Sequence, residues 1–170
     1  MLGYVCKYTP MELFEAMDTE ITRLEPSVTD FNHADTLMHA NICSYTKAVL
    51  EDVMEHDYEG VILTTCCDSI RRLYDTLKSQ FPDKFFFLLD IPRKFNDFAV
   101  TLYERQLKQM LTEYEAFSGK TLDLKRFVSM MQNKAALKKQ ENTRMSASAV
   151  SEKGNGQKLN IGIMGARCNN

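Results

Sequence analysis

The stretch Val61-Ile62-Leu63-Thr64-Thr65-Cys66-Cys67-Asp68-Ser69 decides the fold of this chain. Its first five residues are apolar or β-branched, which is typical of a strand buried on both faces of a parallel sheet. Asp68 or Ser69 can cap a helix, and apolar residues follow at helical spacing. The stretch therefore predicts a buried strand, a turn that carries two cysteines, and a helix.

The same alternation of strand and helix runs through the first 131 residues. The run Phe85-Phe86-Phe87-Leu88-Leu89 is the strongest strand signal, and a short strand is predicted through Val5. Residues 20–32 are predicted as loop and edge structure. Long helices are predicted over residues 33–54 and 95–117. This order indicates an α/β fold, in which helices flank a mainly parallel sheet in a Rossmann-like domain.

The composition of the chain changes after this region. Residues 1–131 are predicted to form the N-terminal α/β domain, and residues 132–157 a helical tail and a flexible linker rich in Ser, Ala and Gly. Residues 158–170 resemble the first strand of a second domain that stops before any helix covers it. We therefore expect the N-terminal part of a two-domain protein, or a chain whose partner supplies the rest.

Composition also limits the partners and the compartment. The apolar content is 44% and the net charge is −2, so nothing favours binding to nucleic acid or to an anionic membrane. No apolar run approaches the roughly 20 residues that a transmembrane helix needs. The N-terminus lacks the basic and apolar regions of a signal peptide. A cytoplasmic, reducing location is expected, where several cysteines indicate metal or redox chemistry rather than disulfides.

Four of the five cysteines follow strand-like runs. Cys6 follows the first run, Cys66 and Cys67 the second, and Cys168 the last, while Cys43 lies in or near the start of a predicted helix. Sites in open parallel sheets form at the carboxyl ends of the strands, so these thiols are expected to converge. A helix N-terminus favours the thiolate, which is the form that binds metal. The pattern predicts a metal cluster or a redox site, although burial as packing residues is an alternative for each cysteine.

Other common sites are not indicated by the sequence. It has no Cys-x-x-Cys pair, no ferredoxin-type cysteine run, no Walker loop and no dinucleotide glycine fingerprint. Arg71 and Arg72 follow the cysteine pair, and Arg93 and Lys94 follow the Phe-rich strand. These cations would balance a negatively charged cluster or hold the phosphates of an acyl carrier; ordinary surface charge is the alternative.

Four segments in order resemble the family of 2-hydroxyacyl-CoA dehydratase D-component proteins, which also holds benzoyl-CoA reductase subunits. These segments are residues 3–13, 43–47, 67–75 and 89–94. The resemblance implies an oxygen-sensitive iron–sulfur subunit from anaerobic metabolism that holds a 4Fe-4S cluster through three cysteines. It places the cluster on Cys43 and on the Cys66–Cys67 pair, with a third ligand that normally comes from the second half of the protein.

The resemblance also implies partners and a reaction. An ATP-dependent iron–sulfur activator protein supplies a low-potential electron, and two related subunits pair as a homo- or heterodimer. In the dehydratases the acyl-CoA thioester carbonyl becomes a ketyl radical and water is eliminated. The chain would then be part of an iron–sulfur lyase or reductase.

Two departures from the family pattern leave the substrate open. The doubled cysteine and the segment Gly165-Ala166-Arg167-Cys168-Asn169 are more similar to the branch with a double-cubane 8Fe-9S cluster, which reduces small molecules. In that case Cys66, Cys67 and Cys168 would all be ligands. Asp18 stands where the family commonly has glycine. A cluster-binding electron-transfer module without its own substrate, and a zinc-binding or purely structural domain, are further alternatives.

Overall fold

The structure is a computed structural model that describes residues 1–28, 30–94 and 96–149, with side chains described as far as residue 137. Its strands are β1 Leu2–Tyr4, β2 Ile21–Arg23, β3 Gly60–Thr64 and β4 Phe85–Leu89. Its helices are α1 Met11–Glu15, α2 Asn32–Leu37, α3 Ser44–Glu55, α4 Asp68–Gln80, α5 Asp97–Ser118 and α6 Leu124–Ala149.

The four strands form one parallel sheet in the order β2-β1-β3-β4. After β1 the chain adds β2 at one edge of the sheet. It then crosses to the other side of β1 and adds β3 and β4 there. The gap between β1 and β3 is therefore the topological switch point, where open α/β sheets usually bind ligands at the carboxyl ends of their strands. The predicted α/β fold with a parallel sheet and flanking helices is confirmed.

Helices cover both faces of the sheet because each central strand is apolar on both sides. Val61 and Leu63 of β3 pack with α3 and α4 in one cluster, whereas Ile62 packs with α1 and α5 in the other. All five residues of β3 are buried. The protein therefore has three layers, and the core on each face fixes the strands whose ends carry the cysteines.

The single helix predicted over residues 33–54 is two helices in the structure. α2 ends before Met38, whose backbone is extended, and α3 begins only at Ser44. The intervening turn includes His39 and Asn41, and the Asn41 N–H donates to the His39 ring at 3.2 Å. The Ile42 N–H donates to the His39 carbonyl at 3.0 Å, so these backbone N–H groups bond within the turn and not along a continuous helix. The consequence of this break is that Cys43 lies at a helix N-terminus.

The end of α5 agrees with the sequence prediction. Gly119 has a φ of 70°, the left-handed conformation that ends helices and that glycine adopts without strain. Residues Met1–Met131 form one compact unit, and a second unit begins at Gln132. In that second unit α6 continues to Ala149, so the start of the predicted linker at residues 146–149 is helical. The predicted strand over residues 158–170 lies outside the described residues.

Asp18 is the one non-glycine residue with a positive φ, 53°, in the part of the chain that the structure describes. A side chain in this region meets the backbone, so the position favours glycine. Asp18 also forms an exposed ion pair with Arg126, and its carbonyl accepts a hydrogen bond from Lys120. Exposed ion pairs contribute little stability, so the backbone conformation dominates the effect of a substitution.

We expect Asp18→Gly to be more stable than Asp18→Ala by about 1 kcal/mol, because alanine carries a Cβ into the left-handed region. Both variants lose the ion pair with Arg126, so the comparison isolates the backbone effect. Urea denaturation followed by circular dichroism measures the free energy of unfolding of each variant. An alanine variant as stable as the glycine variant would contradict the assignment of strain to this residue.

Candidate functional site

The carboxyl edge of the sheet carries three cysteines on two adjacent strands. Cys6 follows β1 by two residues, and Cys66 and Cys67 follow β3 by two and three residues. β1 and β3 are neighbours and flank the switch point of the sheet. Because both strands run in the same direction, their ends deliver these thiols to one edge.

Cys43 reaches the same edge from a helix rather than from a strand. It is the N-cap residue of α3, and α3 leads into β3, so its N-terminus lies at the carboxyl edge of the parallel sheet. The Cys43 thiol interacts with the hydroxyl of Ser69, which is in the first turn of α4. The N-termini of α3 and α4 therefore meet, and each has a cysteine as its N-cap, Cys43 and Cys67.

The surroundings of Cys43 favour its thiolate. Burial raises the pKa of this thiol, but hydrogen bonding to the Thr46 side chain and backbone, the Ser69 hydroxyl and the Tyr45 backbone outweighs it, and the net pKa is lowered. The Thr46 Oγ1 lies 3.1 Å from the Cys43 Sγ. These groups lie in the first turns of α3 and α4, and the positive N-terminal end of a helix stabilises an anion.

The surroundings of Cys66 act in the opposite direction. Burial raises the pKa of the Cys66 thiol, the neighbouring thiols of Cys67 and Cys6 raise it further, and the Thr64 hydroxyl offsets only part of the effect. Like charges resist being formed close together. Together these effects favour the neutral thiol of Cys66 in the metal-free chain.

The Thr64 hydroxyl at this edge is a buried polar group. Thr64 is fully buried, and its Oγ1 has no hydrogen-bond partner of normal geometry within the described residues. A buried hydroxyl without a partner is unfavourable. Since Thr64 influences the thiol of Cys66, a sulfur-rich group held there would provide an acceptor.

Among the residues that the structure describes, no group of three or more His, Cys, Asp or Glu side chains is arranged to hold a metal ion. Thiolates are the ligands that iron–sulfur clusters use, so the type of donor at this edge is compatible with a cluster. Cys43, Cys66 and Cys67 are exposed, Cys6 is half-buried, and all four are free thiols, so they are accessible to such a group.

A cavity of about 330 Å³ lies at the same edge, on the face that α1 and α5 cover. Its walls are mainly apolar, and two cations, Arg93 and Lys94, line it at the end of β4. Its lining residues are Tyr8, Ile91, Pro92, Arg93, Lys94, Ala99, Val100 and Tyr103. The Tyr103 hydroxyl donates to the Tyr8 carbonyl at 3.2 Å. Burial, the thiol of Cys6 and the carboxylate of Glu12 raise the pKa of Tyr103, so this wall of the cavity lies near Cys6.

The second pair of cations, Arg71 and Arg72, lines a separate pocket of about 260 Å³ beside α4. Arg72 pairs there with Asp75 at 3.7 Å. That ion pair is exposed on both sides, which agrees with the alternative of ordinary surface charge.

The structure thus brings Cys6, Cys43, Cys66 and Cys67 to one edge of the sheet, while Cys168 lies outside the described residues. Three residues around the thiols were not predicted from the sequence: Thr46, Tyr8 and Tyr103. Thr46 carried a signal, because it stands three residues after Cys43 at the spacing of a capping interaction. Ser69 was predicted as a possible helix cap and not as a partner of Cys43.

In the metal-free, reduced chain, Cys43 is expected to react with iodoacetamide faster than Cys66 near neutral pH. The lowered pKa of Cys43 gives it the larger thiolate fraction, and the thiolate is the nucleophile. The difference should narrow as the pH rises above both pKa values. Mass spectrometry of timed samples gives both rates, and the urea-denatured chain is the control, where the two rates should converge. Faster labelling of Cys66 in the native chain would contradict the prediction.

A comparison with known protein families finds a match to one of them. The sequence profile described as 2-hydroxyglutaryl-CoA dehydratase, D-component, matches residues 6–153, which is most of the chain. No curated protein matches the sequence. Within the described residues, no helix combines the length and the apolar character that crossing a membrane requires.

Proposed function

The chain belongs to the 2-hydroxyglutaryl-CoA dehydratase D-component family, and from this premise we propose that it is the iron–sulfur subunit of a low-potential 2-hydroxyacyl-CoA dehydratase or a related reductase. The observation that carries the proposal is the convergence of free thiols from three separate parts of the chain. Cys43 arrives on α3, Cys66 and Cys67 follow β3, and Cys6 follows β1.

Cys43 and the Cys66–Cys67 pair are the proposed cluster ligands in this chain. Bound there, a 4Fe-4S cluster would supply one-electron chemistry at low potential. The protein's own contribution is to hold the thiolates and to shield them. Cys43 and Cys67 are the N-cap residues of α3 and α4, where the positive end of a helix favours the thiolate, and Thr46 contacts the Cys43 sulfur. Cys168 remains a proposed further ligand.

The cavity beside Cys6 supports a substrate of the acyl-CoA class. Its apolar walls suit an acyl chain, and Arg93 and Lys94 provide charges that phosphate groups of coenzyme A would pair with. A cavity of this kind favours a subunit that handles a substrate over a module that only transfers electrons.

The proposed partners follow from the chemistry of such a cluster. An ATP-dependent iron–sulfur activator would supply the electron, and a related subunit would complete a homo- or heterodimer. The free, exposed thiols suit a reducing compartment, and we propose a cytoplasmic location.

A double-cubane 8Fe-9S cluster for reduction of small molecules is the second candidate. The observation that favours it is that Cys66 and Cys67 are both exposed and both free. A single cubane with one ligand from this turn would leave the other thiol without a role at the site.

Iron and acid-labile sulfide per chain test the proposal, measured after anaerobic purification of the gene product. About four irons would support a single cubane, and about eight would support the double cubane. Zinc in place of iron, or neither metal, would overturn the proposal and leave a structural domain.

A second experiment tests the substrate class. We expect acyl-CoA to bind the anaerobic protein, and an Arg93→Ala/Lys94→Ala double variant to bind it at least about tenfold more weakly, because each charged contact contributes about 1.5–3 kcal/mol. Isothermal titration calorimetry measures both affinities. An Arg71→Ala/Arg72→Ala variant is the matched control, since it removes two cations from the other pocket. Equal affinities for all three proteins would contradict the placement of the substrate.

A further inference from the structure

The side-chain hydroxyl of Thr46 has a different hydrogen-bond partner from the hydroxyls of other helical threonines in this chain. Thr36, Thr101 and Thr112 each donate to the backbone carbonyl four residues earlier. Thr46 stands in the first turn of α3, and its Oγ1 lies 3.1 Å from the Sγ of Cys43. Within the described residues its hydroxyl has no other hydrogen-bond partner.

The burial of Thr46 makes this contact important. Its side chain is 0% exposed, whereas Cys43 is on the surface. A buried hydroxyl requires a hydrogen bond, and water cannot replace the cysteine as its partner. The contact therefore holds the sulfur of Cys43 in place from its buried side and leaves the exposed side open to a ligand.

The direction of this hydrogen bond depends on the state of the sulfur. In the free thiol, either atom can be the donor. A thiolate bound to iron has no proton, so it can only accept, and the Thr46 hydroxyl must donate. Binding of a cluster thus fixes the polarity of a contact that is already formed.

We propose that Thr46 is a positioning residue that donates a hydrogen bond to the cluster-bound sulfur of Cys43 and raises the reduction potential of the cluster. The inference rests on the proposed function. A donor at sulfur stabilises the more negative, reduced cluster more than the oxidised one, and hydrogen bonds to sulfur are among the factors that set these potentials. The Ser69 hydroxyl, on α4, also favours negative charge on this sulfur.

The test compares Thr46→Val, which keeps the shape of the side chain without the hydroxyl, with Thr46→Ser, which keeps the hydroxyl. We expect the midpoint potential of Thr46→Val to be more negative, with an equilibrium constant for one-electron reduction up to about tenfold smaller, which is about 59 mV. Thr46→Ser should stay near the wild type. Thr112→Val is the matched control on α5, where the hydroxyl bonds the helix backbone. Redox titration of the anaerobic holoprotein, followed by electron paramagnetic resonance, gives each potential.

The outcomes separate this inference from the proposed function. Equal iron content and equal potentials in the wild type and in Thr46→Val would overturn the role of Thr46 alone. A wild type that takes up no iron would overturn both. Ser69→Ala is the second variant in case Thr46→Val does not fold: it should shift the potential in the same direction by less, and an unchanged potential there would contradict the inference.

Discussion

A chain in which Cys43 is replaced by alanine is expected to hold at least about tenfold less iron than the wild type after anaerobic reconstitution. Loss of a residue that only supports a ligand already lowers metal affinity by about 10- to 100-fold, and loss of a thiolate ligand should exceed that. Iron and acid-labile sulfide per chain measure the effect. The visible absorption of the cluster should fall in parallel.

Two further variants show whether the loss is specific. Cys43→Ser keeps an N-cap oxygen that can bond Thr46, so it separates loss of the sulfur from loss of the fold. Cys6→Ala is expected to retain most of the iron, because Cys6 is half-buried and is not a proposed ligand. Unchanged iron in Cys43→Ala would remove Cys43 from the ligand set, and complete loss of iron in Cys6→Ala would contradict its exclusion.

Gly60→Ala is expected to prevent stable folding. A Cβ on Gly60 would lie 1.9 Å from the carbonyl oxygen of Phe85 and 2.7 Å from its carbonyl carbon. Gly60 pairs with Phe85 in the β3–β4 ladder and with Leu2 in the β1–β3 ladder. The obstacle is the backbone of the edge strand β4 at the first pair of the ladder, so relief requires moving the start of β4 away from β3. We expect a loss of more than about 3 kcal/mol, a large fraction of the 5–15 kcal/mol that stabilises a typical domain.

Gly3→Ala is the matched control for this prediction. Its Cβ would approach the side chain of Leu24 at 3.0 Å, and the end of a leucine side chain can move. A cost of about 1 kcal/mol is expected there, at the lower end of the range for overpacking. Soluble yield and thermal denaturation followed by circular dichroism measure both variants. A Gly60→Ala chain that melts within about 2 °C of the wild type would contradict the close approach of β3 and β4.

The cysteines show how much of the site can be predicted from local sequence. The apolar runs before Cys6 and Cys66 identify strands, and the rule that parallel strands end at one edge predicts that these thiols share it. The structure places them there, on the adjacent strands β1 and β3. Their role as ligands stays a prediction, because it depends on a group that binds after folding.

Cys43 could not be placed from the sequence in the same way. The apolar positions of residues 33–54 fit one helix, and the break that makes Cys43 an N-cap depends on the polar turn after Met38. Its contacts with Thr46 and Ser69 join two helices, so they exist only after α3 and α4 have packed on β3. Asp18 is a similar case, because its left-handed φ is imposed by the turn between α1 and β2.

Local sequence was sufficient to predict strands β1, β3 and β4, the burial of β3 and β4, and the end of α5 at Gly119, but not β2 or the break between α2 and α3. The predicted features depend on residues close together in the chain, through side-chain periodicity and the conformational freedom of glycine. Only the tertiary structure decided the strand order, the meeting of the α3 and α4 N-termini, and the cavity beside Cys6. Each of these depends on contacts between residues far apart in sequence, which packing of the whole core selects.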